Sequence, residues 1–145
     1  MEKDHLLKSF LAGLFSTITI GALTYLTYKT PFGLFLIASF GSSMVLLYGY
    51  PESPFAQPKN IFFGHLVSLL VGIIFNETIG FSFYSIGLSV GVAVTLMVYL
   101  KIMHPPAASN PLVVLFSDVS FDYILFPVIV GTITIILMSI LINKI

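Results

Sequence analysis

The chain has no cysteine and no arginine, and charge of either sign is scarce. Without cysteine there can be no disulfide framework and no thiolate metal site. Six lysines face six acidic residues, so only 8% of residues are charged and the net charge is zero. A soluble domain carries about 25% charged residues, and one of this size could not hide so much apolar surface. The missing basic excess argues against a nucleic-acid partner. Catalytic signatures are missing too: no HExxH, no phosphate-binding glycine loop and no nucleophile elbow. The three histidines, His5, His65 and His104, lie too far apart to form a metal site by spacing. No enzyme activity, cofactor or metal is expected.

What is present is hydrophobic. Of 145 residues, 57% are apolar or aromatic, and the mean hydropathy is +1.05. Lipid is the natural solvent for such a chain, and its length suggests one domain over residues 1–145. The start, Met1-Glu2-Lys3-Asp4-His5, lacks the shape of a cleaved signal peptide. It reads as the lead into a retained first helix.

Charges punctuate the sequence. Uncharged runs extend over Ser9 to Tyr28, Thr30 to Pro51, Asn60 to Asn76, Thr78 to Leu100 and Tyr123 to Asn143. Each approaches the roughly 20 residues that a spanning helix needs. The stretch Ile102 to Ser117 is shorter and holds His104, Pro105, Pro106 and Pro111. Such a broken segment must be buried in protein rather than face lipid. The expected architecture is an all-α polytopic membrane bundle of five long transmembrane helices plus a short broken or re-entrant segment. Thr30-Pro31, Ser53-Pro54 and Asn110-Pro111 each read as an N-cap followed by a first-turn proline.

The lysines bear on orientation. If the broken segment crosses, Lys3, Lys8, Lys59, Lys101 and Lys144 share one side, opposite Lys29, Glu77, Asp118 and Asp122. The positive-inside rule then puts both termini in the cytoplasm, with the cytoplasmic (inner or plasma) membrane as the expected location. If it does not cross, Lys144 changes sides and the bias weakens. Gly87 and Gly91 make a GxxxG step, and Gly64, Ser68 and Gly72 recur every four residues. Such faces let helices approach closely in lipid, within one subunit or between copies. Each half can be read as long helix, interrupted helix, long helix, which makes a 3+3 inverted repeat. The interruptions are Ser39-Phe40-Gly41-Ser42-Ser43 and His104 to Asn110.

The second interruption carries the most chemistry. A residue before proline is pushed out of the helical region, which applies to His104, Pro105 and Asn110. Irregular backbone there, with small side chains at Ala107, Ala108 and Ser109, leaves polar groups accessible. Helix starts also attract anions. His104 can titrate near physiological pH; the alternative is that it only caps a carbonyl at a kink. His65 can relay a proton or simply tie two helices together. The loop from Pro51 to Asn60 is stiffened by three prolines, and Glu52 and Lys59 can pair across it.

These residues resemble a family. His104-Pro105-Pro106-Ala107 resembles the signature of the HPP family of integral membrane proteins. Ser53-Pro54-Phe55-Ala56-Gln57-Pro58-Lys59-Asn60 looks like that family's SPxAQPxN stretch, so Ser53, Pro54, Gln57, Pro58, Lys59 and Asn60 are its structural signature. Gly64-His65 follows and Ser39-Phe40-Gly41 precedes, so four patches in order cover most of residues 35–110. Two departures stand out. Lys59 sits where arginine is expected, which keeps the charge but loses a bidentate fork. Ser109-Asn110-Pro111 follows where the family runs on with small residues and a threonine. The resemblance implies a compact helical domain, often described with four spans, and transport, with nitrite uptake assigned to some plastid and cyanobacterial relatives. The expected function is therefore a transporter or channel for a small inorganic anion. Its substrate would contact His104, Pro105, Pro106, Ala107, Ala108, Ser109 and Asn110, with Ser39, Gly41, Ser42, Ser43 and His65 opposite. A protomer this small is expected to act as a homo-oligomer. The competing reading is a membrane interaction module without a transport path, marked by a dry, closed interior.

Overall fold

The computed structural model describes residues 2–31, 34–117, 119 and 121–143, all of them helical or irregular with no strand among them. Asp118 and Lys144, two of the charges used above, lie outside the described residues. The first helix, α1, spans Glu2–Lys29. It ends where the Thr30 amide donates to the Leu26 carbonyl at 3.2 Å and the Thr30 hydroxyl to the same oxygen at 2.7 Å. Thr30-Pro31 therefore closes α1 instead of capping a new helix, which corrects the expectation. Ser53 does cap: its hydroxyl accepts from the Phe55 amide at the start of the short 3-10 turn Pro54–Ala56.

The five long spans expected from the runs resolve differently. Among the described residues, three helices are long and apolar enough to cross a membrane: Lys3–Lys29, Pro58–Thr78 and Ile124–Ile142. Helix α3 spans Pro58–Thr78, and α4, Phe83–Tyr99, has 17 residues. The second run is no long helix. Leu34 to Ile37 are irregular, and only then does α2, Ala38–Met44, start and widen into a π-turn over Val45–Gly49. Tertiary contacts explain the difference. The Phe35 amide donates to the Thr27 hydroxyl at 3.0 Å. Its carbonyl lies so close to Gly131 that a β-carbon there would meet it at 2.6 Å. The final run also breaks. Phe126 precedes Pro127 and takes φ −123°, ψ 120°, so the regular helix α6, Val130–Ile142, is reached through a kinked turn, Ile124–Ile129.

Between α4 and α6 lies the proline-rich segment. Lys101 takes a left-handed φ of 55°, and the Ile102 amide reaches back to the Met97 carbonyl. That is a Schellman-type ending, usually served by glycine. The chain continues extended through His104 (φ −136°, ψ 96°), then turns into the 3-10 stretch Pro105–Ser109 and α5, Asn110–Ser117. His104 obeys the rule for residues before proline. Asn110 does not: it is helical at φ −59°, ψ −40°, and its side chain caps nothing.

Contacts between distant residues fix the direction of each pass. His5, Lys8, Glu52 and Asn143 line one cavity, so both described chain ends meet the loop after the π-turn. The Asn60 side chain donates to the Met103 carbonyl, which places the α4–Pro105 link at this same end. At the other end Phe81 packs edge-to-face on Phe116 and Phe35 on Phe126. Among the described residues the chain thus reverses direction between six successive segments, and the proline-rich segment runs from the end near Asn60 to the end near Phe81. Helix α3 is the centre, packed against α4, α5 and α6. Gly64, Ser68 and Gly72 face the proline-rich pass within the subunit: β-carbons added at Gly64 and Gly72 would lie 2.9 Å from His104 Cβ and 2.8 Å from Pro111 Cα. Gly87 and Gly91 of α4 instead face open space.

Candidate functional site

Two interrupted passes, α2 and the 3-10 stretch before α5, pack against each other beside α3. Serine at i and i+4 puts Ser39 and Ser43 on one face of α2, and both are buried. Against them lie His65 from α3 and His104 and Asn110 from the proline-rich pass, all three with no exposed surface. His65 lies about 10 Å below the start of α3, seven residues at a rise of about 1.5 Å. The cluster is therefore closer to the midpoint of α3, at Ser68, than to the end that holds the chain termini.

The hydrogen bonds form one continuous chain. The Ser39 hydroxyl donates to Asn110 Oδ1 at 2.7 Å. Asn110 Nδ2 donates to His65 Nδ1 and to the His65 carbonyl, each at 3.1 Å. The Ser43 hydroxyl lies 3.3 Å from His65 Nε2 and 2.9 Å from His104 Nε2. His104 Nδ1 donates to the Phe55 carbonyl at 2.8 Å.

These partners fix the tautomers. The Phe55 carbonyl can only accept, so His104 carries its proton on Nδ1. Its Nε2 is then an acceptor, and Ser43 donates to it. The Asn110 amide nitrogen faces the His65 carbonyl, so its other hydrogen occupies His65 Nδ1. His65 must carry its proton on Nε2 and give it to Ser43 Oγ. Every donor in the cluster has an acceptor with both rings neutral, and no buried side-chain nitrogen or oxygen among the described residues lacks a partner. Ser43 also has a second acceptor, the Ser39 carbonyl at 3.2 Å. If His104 takes a proton on Nε2, the Ser43 hydroxyl can turn to that carbonyl and accept from the ring. His65 has no such option, because an amide donor already occupies its Nδ1.

The serine-proline loop explains how Phe55 comes to serve His104. Asn60 Nδ2 ties the Pro54 carbonyl at 2.9 Å and the Met103 carbonyl at 3.0 Å, and Gln57 donates to the Ser53 carbonyl. The loop is thereby clamped to the residue before His104. Pro58 starts α3, and Lys59 is exposed.

Of the residues expected to hold an anion, Ser39, Ser43, His65, His104 and Asn110 come together. Gly41 and Ser42 do not: both are exposed, Gly41 beside α1 and Ser42 at the outer edge of the seam with Pro105 and Pro106. Ser42 shares an open cavity of about 460 Å³ with Pro105, Pro106 and Ser109. Ala107 is buried and its carbonyl accepts from the Ser68 hydroxyl, Ala108 is half-buried, and the Ser109 hydroxyl bonds back to the Pro106 carbonyl. Sequence reading missed the Phe55 carbonyl, the role of Ser68, and a second buried polar pair, Thr19 and Tyr48, whose oxygens lie 2.6 Å apart. The i, i+4 step from Ser39 to Ser43 would have separated them from Gly41, two residues from each.

Comparison with known proteins agrees with the signatures. The sequence model described as "HPP, transmembrane region" matches residues 1–145. A transmembrane protein of Dictyostelium discoideum is 32% identical over 144 residues, covering 94% of this chain and 46% of its own length. A second transmembrane protein of that organism is 28% identical over 117 residues, covering 75% of this chain and 41% of its own length. The chain thus spans less than half the length of these curated relatives. No solved structure matches.

Proposed function

Because the chain belongs to the HPP transmembrane family, we propose that it moves a small inorganic anion across the membrane, with nitrite the first substrate to test. The observation that carries this reading is the meeting of two interrupted passes at a buried cluster holding two histidines. Polar groups at membrane depth are costly and concentrate on transport paths, and paired interruptions mark binding sites in transporters built of inverted repeats. The order of passes supports a 3+3 inverted repeat, and the end bearing His5, Lys8, Lys59 and Lys101 is assigned to the cytoplasm by its lysines. On this reading the fully hydrogen-bonded cluster is the closed state of the path. Opening would part α2 from Pro105–Ser109 and free the Ser39, Ser43 and Asn110 donors for an anion, with His104 able to hold the accompanying proton. The open face of α4 at Gly87 and Gly91 is the assigned contact between copies in a homo-oligomer.

The test is uptake by purified protein in liposomes, with nitrite, nitrate, formate and chloride. Flux above empty vesicles that falls at least tenfold in His104→Ala is the expected result; no flux for any anion refutes transport. A second reading is favoured by one observation, the complete hydrogen bonding of the closed cluster. On that reading the chain is a membrane interaction module and the cluster is a structural tie. Because the chain has no cysteine, Ser43→Cys separates the two. A water-soluble thiol reagent reaches Cys at position 43 only if a path opens.

A further inference from the structure

We propose that the seam between α1 and α2 binds one phospholipid whose headgroup carries both a phosphate and a primary ammonium, as phosphatidylethanolamine does. The proposal does not depend on transport. His5, Lys8, Ala12 and Phe15 recur at three- and four-residue steps, so they share one face of α1. That face borders a cavity of about 500 Å³ whose opposite wall includes Tyr48 and Glu52. A second cavity, about 410 Å³, shares Ala12 and Gly49 with the first. It continues down the seam between Gly13, Ser16 and Ile20 of α1 and Gly41 and Val45 on the other side. The two adjoin at Ala12 and Gly49, and the seam they mark is polar at the rim and apolar below.

Its dimensions suit a lipid chain. From Lys8 to Ile20 the helix rises about 18 Å, slightly more than one leaflet's share of a hydrocarbon core about 30 Å thick. A single helical turn, ~10 Å across and ~5.4 Å tall, has about the volume of the whole lower cavity, so the seam's narrow, elongated form suits an acyl chain better than a helix. Gly13 and Gly41 keep the seam open: a β-carbon added at either meets nothing within 4 Å.

The rim selects the headgroup. The Lys8 ammonium and an imidazole N–H of His5 can donate to a phosphate, and the Glu52 carboxylate can accept from an ammonium. All three side chains are exposed at the cavity. A quaternary choline has no N–H to offer Glu52, and a purely anionic headgroup meets that carboxylate as a like charge.

The experiment is lipid retention by the purified full chain, read by native mass spectrometry. Phosphatidylethanolamine, phosphatidylcholine and phosphatidylglycerol with identical acyl chains are supplied in equal amounts. Retention of the ethanolamine lipid is expected to exceed the others by about two- to fivefold, the range of one exposed ion pair. Glu52→Gln should erase that preference and Lys8→Gln should weaken all three lipids. Gly13→Leu should block the seam without lowering the melting temperature in lipid-free detergent, since a β-carbon there meets nothing within 4 Å. Equal retention of the three lipids, or retention indifferent to Lys8→Gln and Gly13→Leu, overturns the proposal. So does efficient disulfide cross-linking of two copies through Gly13→Cys, which would make the seam a protomer interface. Should Gly13→Leu melt early, the Glu52 and Lys8 variants decide the matter alone.

Discussion

His104 bonds an obligate acceptor through one ring nitrogen and a hydroxyl through the other. That asymmetry makes the pair of buried histidines inequivalent, and nitrogen NMR of histidine-labelled protein can read it. His104 should show the Nδ1–H tautomer and His65 the Nε2–H tautomer, with His5 as the solvent-exposed reference. The opposite assignment for either ring would show that the hydrogen-bond chain is wired differently. Asn110 is the strictest member of the cluster, because its amide serves the His65 ring, the His65 carbonyl and the Ser39 hydroxyl at once. Asn110→Ala should therefore destabilise the fold by about 1–3 kcal/mol for each buried polar group left without a partner. Denaturation in detergent measures this, and a loss well under 1 kcal/mol would mean that water replaces the amide. Five of the cluster's residues could be named from sequence, because serine, asparagine and histidine are conspicuous among apolar neighbours. The Phe55 carbonyl could not, since a backbone acceptor carries no signal in the residue that bears it.

Elements were legible where prolines or charges mark them and illegible where packing decides. The break at His104 follows from two prolines in a row. The irregular start of the second pass has no such local cause: Phe35 is held by Thr27 of α1 and by the space that Gly131 leaves in α6. Contacts nearly a hundred residues away cannot be read from a hydropathy window. Pro127, by contrast, is a local cause visible in the sequence itself, and it marks the kink at Phe126. Two substitutions test the element boundaries. Lys101 ends α4 in the left-handed region, which costs a non-glycine residue about 1 kcal/mol or more. Lys101→Gly should raise the melting temperature, and a fall would show that the lysine side chain holds this turn. Gly64 lets His104 approach α3, and a methyl group would stand 2.9 Å from His104 Cβ. Gly64→Ala should cost about 1–3 kcal/mol through overpacking, and should disturb the His104 tautomer signal where a distant destabilising change would not.

At the scale of the whole molecule, the six passes predict an even topology. Asn143 Nδ2 donates to the Leu47 carbonyl at 3.1 Å, and Asn143 borders the cavity that His5 and Lys8 enter. The beginning and end of the described chain therefore emerge together, beside the loop that carries Lys59. The turn around Glu77 and Ile79 lies at the other end, one length of α3 away. An odd count, with the proline-rich segment returning to the side it entered from, would separate Asn143 from His5 by the thickness of the bilayer. Its hydrogen bond to Leu47 could not then form. Single cysteines at positions 5, 59, 79 and 143 in the otherwise cysteine-free chain decide between the two. With an impermeant thiol reagent on sealed vesicles of one orientation, positions 5, 59 and 143 should label together and position 79 should label only from the opposite face. Labelling of 79 together with 143, and of 5 together with 59 from the other face, would mean that the proline-rich segment does not cross. The two interrupted passes would then enter the bilayer differently, and the paired-interruption argument for an anion path would lose its geometric basis.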